Sequence, residues 1–385
     1  MALESTLALA AWAFVCLVGP FLCLLVHESA HAVVGRLCGF DVIEVQFGSG
    51  PAWWARWFGR IRITFHNWPT HGHVVALYRG ERWMRTRIAL FALAGPVSNL
   101  ALFAAAWAWA AVAGDPWQFV AMFCVMQTGW ITAWSFVPRT LRNGAKSDLQ
   151  IVLAVARLDP STVPTMVAHY GVLAAHHECQ RAFELGRLDV AEGVLAAHRG
   201  DPVHVGWTGS MAILLALSRG DPQRALVELD RGRAALLAVV NPPAESAAAP
   251  RELGLEWEIN RAFVMAAIGT EEATAAAMRL VSSWPSARHA RGESAVAAQR
   301  TRGLVLLRRG SVGHAIVCLR AALRGHEPHW LRALGMAHLA EAFVHTRHFD
   351  EAARWARKAR RLDPTGPLLP LFLRPVEAAL AQRRA

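Results

Sequence analysis

The chain has 385 residues, room for two or three domains, and its 54% hydrophobic content with a mean hydropathy of +0.26 argues against a wholly soluble protein. Its formal charge of +11 is almost all arginine, the only lysines being Lys146 and Lys358, and the arginines are spread along the chain with no aromatic-basic binding module. That distribution excludes nucleic acid as the expected partner and reads as membrane flanks and solvated helix faces.

The first element is residues 7–26, about 20 residues without a charge, the length that crosses a bilayer hydrocarbon core. No basic stretch precedes it, and it runs into His27 rather than a small-residue cleavage site, so a span is expected rather than a signal peptide. With its polar end the first span covers about 7–37. Two further uncharged runs follow, 88–113 and 117–138, separated by Asp115-Pro116 and closed by Pro138-Arg139. The short link predicts an antiparallel pair and a core of three transmembrane helices.

Between the first two spans, residues 41–47 and 60–65 are rich in β-branched and aromatic side chains, with Gly48, Gly50 and Pro51 as punctuation. This predicts a small membrane-associated β-segment. Trp53, Trp54, Trp57 and Trp68 suit the membrane interface. The same segment carries Arg36, Arg56, Arg60, Arg62, Arg79, Arg82, Arg85 and Arg87, and Arg139, Arg142 and Lys146 follow the third span. The opposite side offers only Glu4 and Asp115. The expectation is therefore an N-terminus outside and everything after about residue 139 in the cytosol.

From about residue 171 the pattern changes to paired amphipathic helices, with turn signals at Gly186, Gly220, Gly269, Gly310 and His348. The segments "ELGRLDVAEGVL", "SRGDPQRALVEL", "RRGSVGHAIVCL" and "HTRHFDEAARWA" share a turn, a polar residue and then Ala with apolar residues at helical spacing. They resemble a degenerate tetratricopeptide solenoid, whose last helix, about 367–382, caps the array. Residues 241–250 read as a longer loop within it. The predicted domains are 1–160 and 161–385. The six cysteines (Cys16, Cys23, Cys38, Cys124, Cys179 and Cys318) form no CxxC pair and read as small core residues.

Chemistry concentrates at the end of the first span, in His27-Glu28-Ser29-Ala30-His31. Residues four apart share a helix face, so both imidazoles can reach one ion, and Glu28 beside them can take a proton from a bound water. Zinc lowers the pKa of such a water to about 7. Ionisable residues in a span are costly and mark function, although two interfacial histidines reaching for the headgroups would give the same local text. A hydrolytic zinc takes three protein ligands and a water. Asp148, just past the cytosolic end of the third span, lies on the correct side to be the third. Ser147 or Asp148 also suits the N-cap of a helix over 149–158. His66, His71 and His73 fall in the β-like segment near the site. His176, His177 and Glu178 are expected on the surface of the repeat region.

Four stretches in order now point to one family. "HESAHAVVGRLCGFDVIEVQFGSGP" (27–51), "WPTHGHVVAL" (68–77), "LAGPVSNLALF" (93–103) and "SFVPRTLRNGAKSDLQIVL" (135–153 with its flank) resemble the site-2 proteases, the intramembrane metalloproteases. The likeness covers roughly 10–155, and at 68–77 it implies a strand beside the active site that His73 would line. Gly95, Pro96 and Asn99 match that family's Gly-Pro-x-x-Asn. Pro138 matches its Asn-x-x-Pro element, but Ser135 stands where the family has Asn, and Leu149 replaces the Gly after the ligand Asp. The resemblance implies zinc at His27, His31 and Asp148, with Glu28 as the general base. It also implies that Asn99 positions substrate or stabilises the oxyanion; the competing reading of Asn99 is hydrogen-bonding glue between helices.

The resulting expectation is a mainly α protein: a three-span metalloprotease core with a small β-segment, then a cytosolic α-solenoid. It would cut a peptide bond in or near a transmembrane segment of a membrane protein, in regulated intramembrane proteolysis. The expected partners are the lipid bilayer, that substrate, and a cytosolic protein bound by the repeats. The expected location is a bacterial inner membrane. Two other classes compete: an inactive membrane adaptor that assembles proteins through its repeats, and a soluble zinc protease whose apolar runs are core helices.

Overall fold

In the computed structural model, which describes residues 2–68, 70–78, 80–114, 117–140, 146–201, 204–239, 249–284, 293–325 and 327–384, the first uncharged stretch is part of a 36-residue helix, α1 (Ala2–Leu37). Two signals end it. Gly39 takes the left-handed conformation (φ 81°), and the amide of Phe40 returns to the carbonyl of Gly35 at 2.9 Å, the usual glycine closure of a helix. The chain then enters β1 (Asp41–Phe47), β2 (Ser49–Phe58), β3 (Ile61–Trp68) and β4 (His73–Leu77).

These strands form one sheet in the order β2-β3-β1-β4. β1 is parallel to β3, with Glu44 opposite Arg62, and antiparallel to β4, with Gln46 opposite His73. Alternation gives the sheet two unlike faces. Val42, Val45 and Phe47 gather Ile61, Ile63, Phe65, Val74 and Ala76 and pack on Phe21, Leu25 and Ala32 of α1. Glu44 and Arg62, paired at 2.8 Å, point the other way. The strands expected at 41–47 and 60–65 are thus present as β1 and β3, and β4 falls in the 68–77 stretch that resembles the family's strand; β2 is additional. β2 begins at Ser49 and runs through Gly50 and Pro51, which the sequence suggested would interrupt the sheet.

α2 (Met84–Val112) and α3 (Trp117–Ser135) pack together, and both pack on α1. Among the described residues two helices are long and apolar enough to cross a membrane, Leu9–Leu37 and Met84–Val112. α3 is uncharged, yet Gln118, Gln127, three tryptophans and two threonines leave this 19-residue helix less apolar than the third span expected there. α4 (Asp148–Ala156) follows. Arg85 of α2 reaches its last carbonyls, at 3.2 Å from Val155 and 2.6 Å from Ala156, so a cation answers the negative end of the helix.

The chain divides into two units, Met1–Ser49 with Arg56–Leu173, and Gly50–Ala55 with Ala174–Ala385. The second is helical: α5 (Val163–Glu184) leads in, followed by α6 (Leu188–His198), α7 (Val205–Ser218), α8 (Pro222–Val239), α9 (Ala249–Ile268), α10 (Glu271–Ser283), α11 (Glu293–Arg308), α12 (Val312–Ala322), α13 (His329–His345), α14 (Phe349–Leu362) and α15 (Leu369–Arg384). Successive helices pack as hairpins, α7 on α8, α9 on α10, α11 on α12 and α13 on α14. The turns expected at Gly186, Gly220, Gly269 and Gly310 all lie between helices and all have positive φ. At the fifth, Arg347 rather than His348 takes the left-handed conformation (φ 61°). Small residues make the close contacts: Ala191, Ala225, Ala262, Ala277, Ala315, Ala337 and Ala352 are fully buried. Of the loop expected at 241–250, residues 241–248 lie outside the described residues, and Ala249 already opens α9. All six cysteines are free.

Candidate metal centre

His27 and His31 lie one turn apart on α1, and the helix geometry alone makes them neighbours. Their Nε2 atoms stand 3.2 Å apart. Asp148, 121 residues later, closes the group: its Oδ2 is 3.1 Å from His27 Nε2 and its Oδ1 is 3.4 Å from His31 Nε2. Among the described residues this is the one group of three such side chains whose donor atoms lie within 4.8 Å of one another. Ligands bound to zinc at about 2.0–2.1 Å in a tetrahedron stand roughly 3.3 Å from each other. The three spacings therefore match what one ion would require. Two imidazoles and a carboxylate are also a donor set zinc accepts, with a place left for water.

Asp148 is delivered by the first turn of α4. Ser147 precedes it as the N-cap residue, but its hydroxyl makes no cap bond. Instead Ser147 Oγ donates to the carbonyl of Val137 at 3.0 Å and accepts from the amide of Arg139 at 3.0 Å, while the Ser147 amide donates to the Arg139 carbonyl at 2.9 Å. These bonds cross-link the end of α3 to the start of α4 and set where Asp148 emerges. The guanidinium of Arg139 stacks over Trp134 at 4.2 Å.

α2 supplies the opposite wall through residues spaced four apart. Phe91 offers its carbonyl, which accepts from His31 Nδ1 at 2.7 Å and so leaves Nε2 as the bare, ligating nitrogen. Gly95 lies one turn on. A Cβ there would stand 2.5 Å from His27 Nε2 and nearer still to His31 Nε2, so only glycine lets α2 pass this close. Asn99, another turn on and 2% exposed, reaches the other ring nitrogen of His27: its amide lies 2.9 Å from His27 Nδ1 and 2.9 Å from Ser135 Oγ. α3 meets it with Thr132, whose hydroxyl donates to the Asn99 carbonyl at 3.1 Å.

Glu28 is 4% exposed, turned inward beside the two histidines. Gly72, just before β4, approaches it so closely that a Cβ there would lie 2.8 Å from Glu28 Cγ. The sheet thus abuts the carboxylate. On its polar face, burial pushes the Glu44 carboxyl up, but the Arg62 guanidinium outweighs this and holds it below the usual carboxylate range.

Of the residues singled out in the sequence, His27, His31 and Asp148 converge, Glu28 sits among them, and Asn99 contacts a histidine of the group. His66, His71 and His73 are not members of it. His176, expected on the surface, is half-buried and stacked on Trp207 at 5.6 Å. The sequence reading missed Phe91; Gly72 lay in the 68–77 match and Ser135 was noted as a departure, but neither was given a role. The signal for the first was available, because 91, 95 and 99 form one stripe of α2.

The family model described as peptidase family M50 matches residues 14–327. The matched region contains every residue of the centre. Comparison with curated proteins finds no match.

Proposed function

We propose, since this chain belongs to peptidase family M50 and is therefore of a metallopeptidase family, that it is an intramembrane zinc protease cutting a peptide bond in or near a transmembrane segment of another membrane protein. The mutual spacing of the His27, His31 and Asp148 donor atoms carries this reading. A zinc ion held by these three would supply Lewis-acid polarisation of a carbonyl and a water that ionises near neutral pH. The chain's own groups do the rest. Glu28 takes the proton of the attacking water and returns it to the leaving amine. His31, tied to Phe91, and His27, tied to Asn99, keep their orientation through the reaction. Pressed by α1 and β4, Glu28 works in a site with little room for bulk water.

A peptide bond in a helix is shielded by the helix's own hydrogen bonds, so the substrate must unwind and bind extended. The edge of the sheet suits an extended strand. Within the sheet β3 is flanked on both sides, which leaves β4 as the edge nearest Glu28. A substrate with strengthened helix propensity at the cut site should be cleaved more slowly. Equal rates would refute unwinding.

In this reading α3 completes a three-helix membrane core, and the paired helices after α5 form a tetratricopeptide-like solenoid that recruits or gates through a cytosolic protein. The arginine bias supports an N-terminus outside and repeats in the cytosol, and the arginine- and alanine-rich composition supports a bacterial inner membrane.

Zinc content of protein purified in detergent without chelator tests the centre. About one zinc per chain is expected in the wild type, with loss in Asp148→Ala and retention in Glu28→Ala without peptidase activity. A wild type without zinc would overturn the assignment.

A further inference from the structure

We infer that the amide oxygen of Asn99 is the acceptor that decides which nitrogen of His27 is free to ligate, and that Ser135 holds this amide in place; this rests on the metal-centre reading above. The two histidines of the centre are supported differently. His31 Nδ1 faces the carbonyl of Phe91, a group that only accepts, so its proton stays on Nδ1 and its Nε2 stays bare. His27 Nδ1 faces a side-chain amide, a group with one accepting and one donating end.

With the amide nitrogen toward His27, Nδ1 must be bare and the ring proton sits on Nε2, directed at Asp148 Oδ2 at 3.1 Å. In that form Nε2 cannot ligate. Ligation through Nε2 needs the proton on Nδ1, and that proton needs an acceptor. A half-turn of the amide brings Oδ1 to the place 2.9 Å from both His27 Nδ1 and Ser135 Oγ. The ring then loses one proton at Nε2 and gains one at Nδ1, both exchanged with water, and its charge is unchanged.

Two further observations support the turn. Asn99 Oδ1 is buried with no hydrogen-bond partner as it stands, so the turn breaks no bond of that oxygen and gives it two partners, while the NH2 takes the unpartnered place. Ser135 Oγ already donates to the Ile131 carbonyl at 2.8 Å, and its hydroxyl can swing to donate to Oδ1 instead. Ser135 thus serves either orientation. This gives a role to the serine that stands where the resembling family has asparagine.

The test measures affinity for zinc by chelator competition, and the absorption of the cobalt-substituted protein, on the full chain in detergent. Asn99→Ala should weaken zinc by about 10–100-fold. Asn99→Asp, whose carboxylate only accepts, should stay within about threefold of wild type and keep its cobalt spectrum. Ser135→Ala should lose about three- to tenfold. Equal weakening in Asn99→Ala and Asn99→Asp would mean that the donating end of the amide, which both variants lack, is what His27 needs, and would overturn the inference. So would wild-type affinity in Asn99→Ala. Unchanged affinity in Ser135→Ala would remove Ser135 from it. If the wild type bound no zinc, or His27→Ala bound it as tightly, the metal-centre reading itself would fail, a distinct result.

Discussion

The two units bury polar side chains for different ends. In the first, Glu28, His31 and Asn99 are nearly inaccessible and crowd around a single point with His27 and Asp148. In the second, buried charges are dispersed and paired: Arg300 with Glu327 at 2.8 Å, Arg308 with Glu341, and Glu184 near His329 at 3.7 Å. The dispersed pattern gives each of these charges an opposite charge nearby. The convergent pattern brings three donors to within 3.1 to 3.4 Å of one another, the spacing that ligands of one ion would take. Burial alone therefore does not mark a site; convergence does.

The largest effect should come from Glu28→Gln, which keeps the shape and removes the base. Peptidase turnover should fall on the order of 10²–10⁴-fold with zinc content unchanged. Normal turnover would show that the convergent group serves something other than hydrolysis. Gly95→Ala sharpens the same point, since the new methyl must displace a ring. We expect about 10²-fold lower turnover and weakened zinc in a protein that still folds, read from metal content and activity together.

The second unit should respond in stability rather than chemistry. Arg300→Met removes the guanidinium that pairs with the buried Glu327 at 2.8 Å and should cost about 3–5 kcal/mol, whereas Arg300→Met with Glu327→Leu should recover most of it. Hydrogen exchange over α11 and α13 would measure both. The smallest effect is expected at His338, which is fully buried with neither ring nitrogen hydrogen-bonded, against Phe372 at 4.6 Å. Burial, with Arg308 and Arg300 adding to it, holds its pKa well below the ordinary 6.5. An unfolded chain therefore takes up a proton below about pH 6.5 that the folded one refuses, so this residue's cost grows as pH falls. His338→Leu should stabilise the unit by about 1–3 kcal/mol and blunt that acid sensitivity in thermal melts at pH 5 and 7.

Much of this was legible in the sequence where a local period carries the information. The His-Glu-x-x-His face, β1 and the turn glycines of the helical pairs follow from spacing alone. β2 did not, because Gly50 and Pro51 read as breakers although both lie near its start. α3 formed as a helix where the third uncharged run lies, but its Gln, Thr and Trp content makes it less apolar than the absence of charge suggested. Asp148 was reachable only by combining chain order with the need for a third ligand. Ser135 was visible as a departure from a pattern, but its role depends on Asn99, 36 residues away and on another helix.

The 121-residue gap between His27 and Asp148 bears on the life of the chain before it is finished. During synthesis the two histidines and the base leave the ribosome early, when the membrane already holds other unfolded proteins. The third donor arrives only after the sheet, α2 and α3 have been made, and it is aimed only when the bonds around Ser147 close. A half-made chain would carry the base but not a complete grip on the ion. The hydrolytic activity would therefore be inert until assembly of the membrane unit is complete, a safeguard that comes from the order of the elements and needs no inhibitor or propeptide.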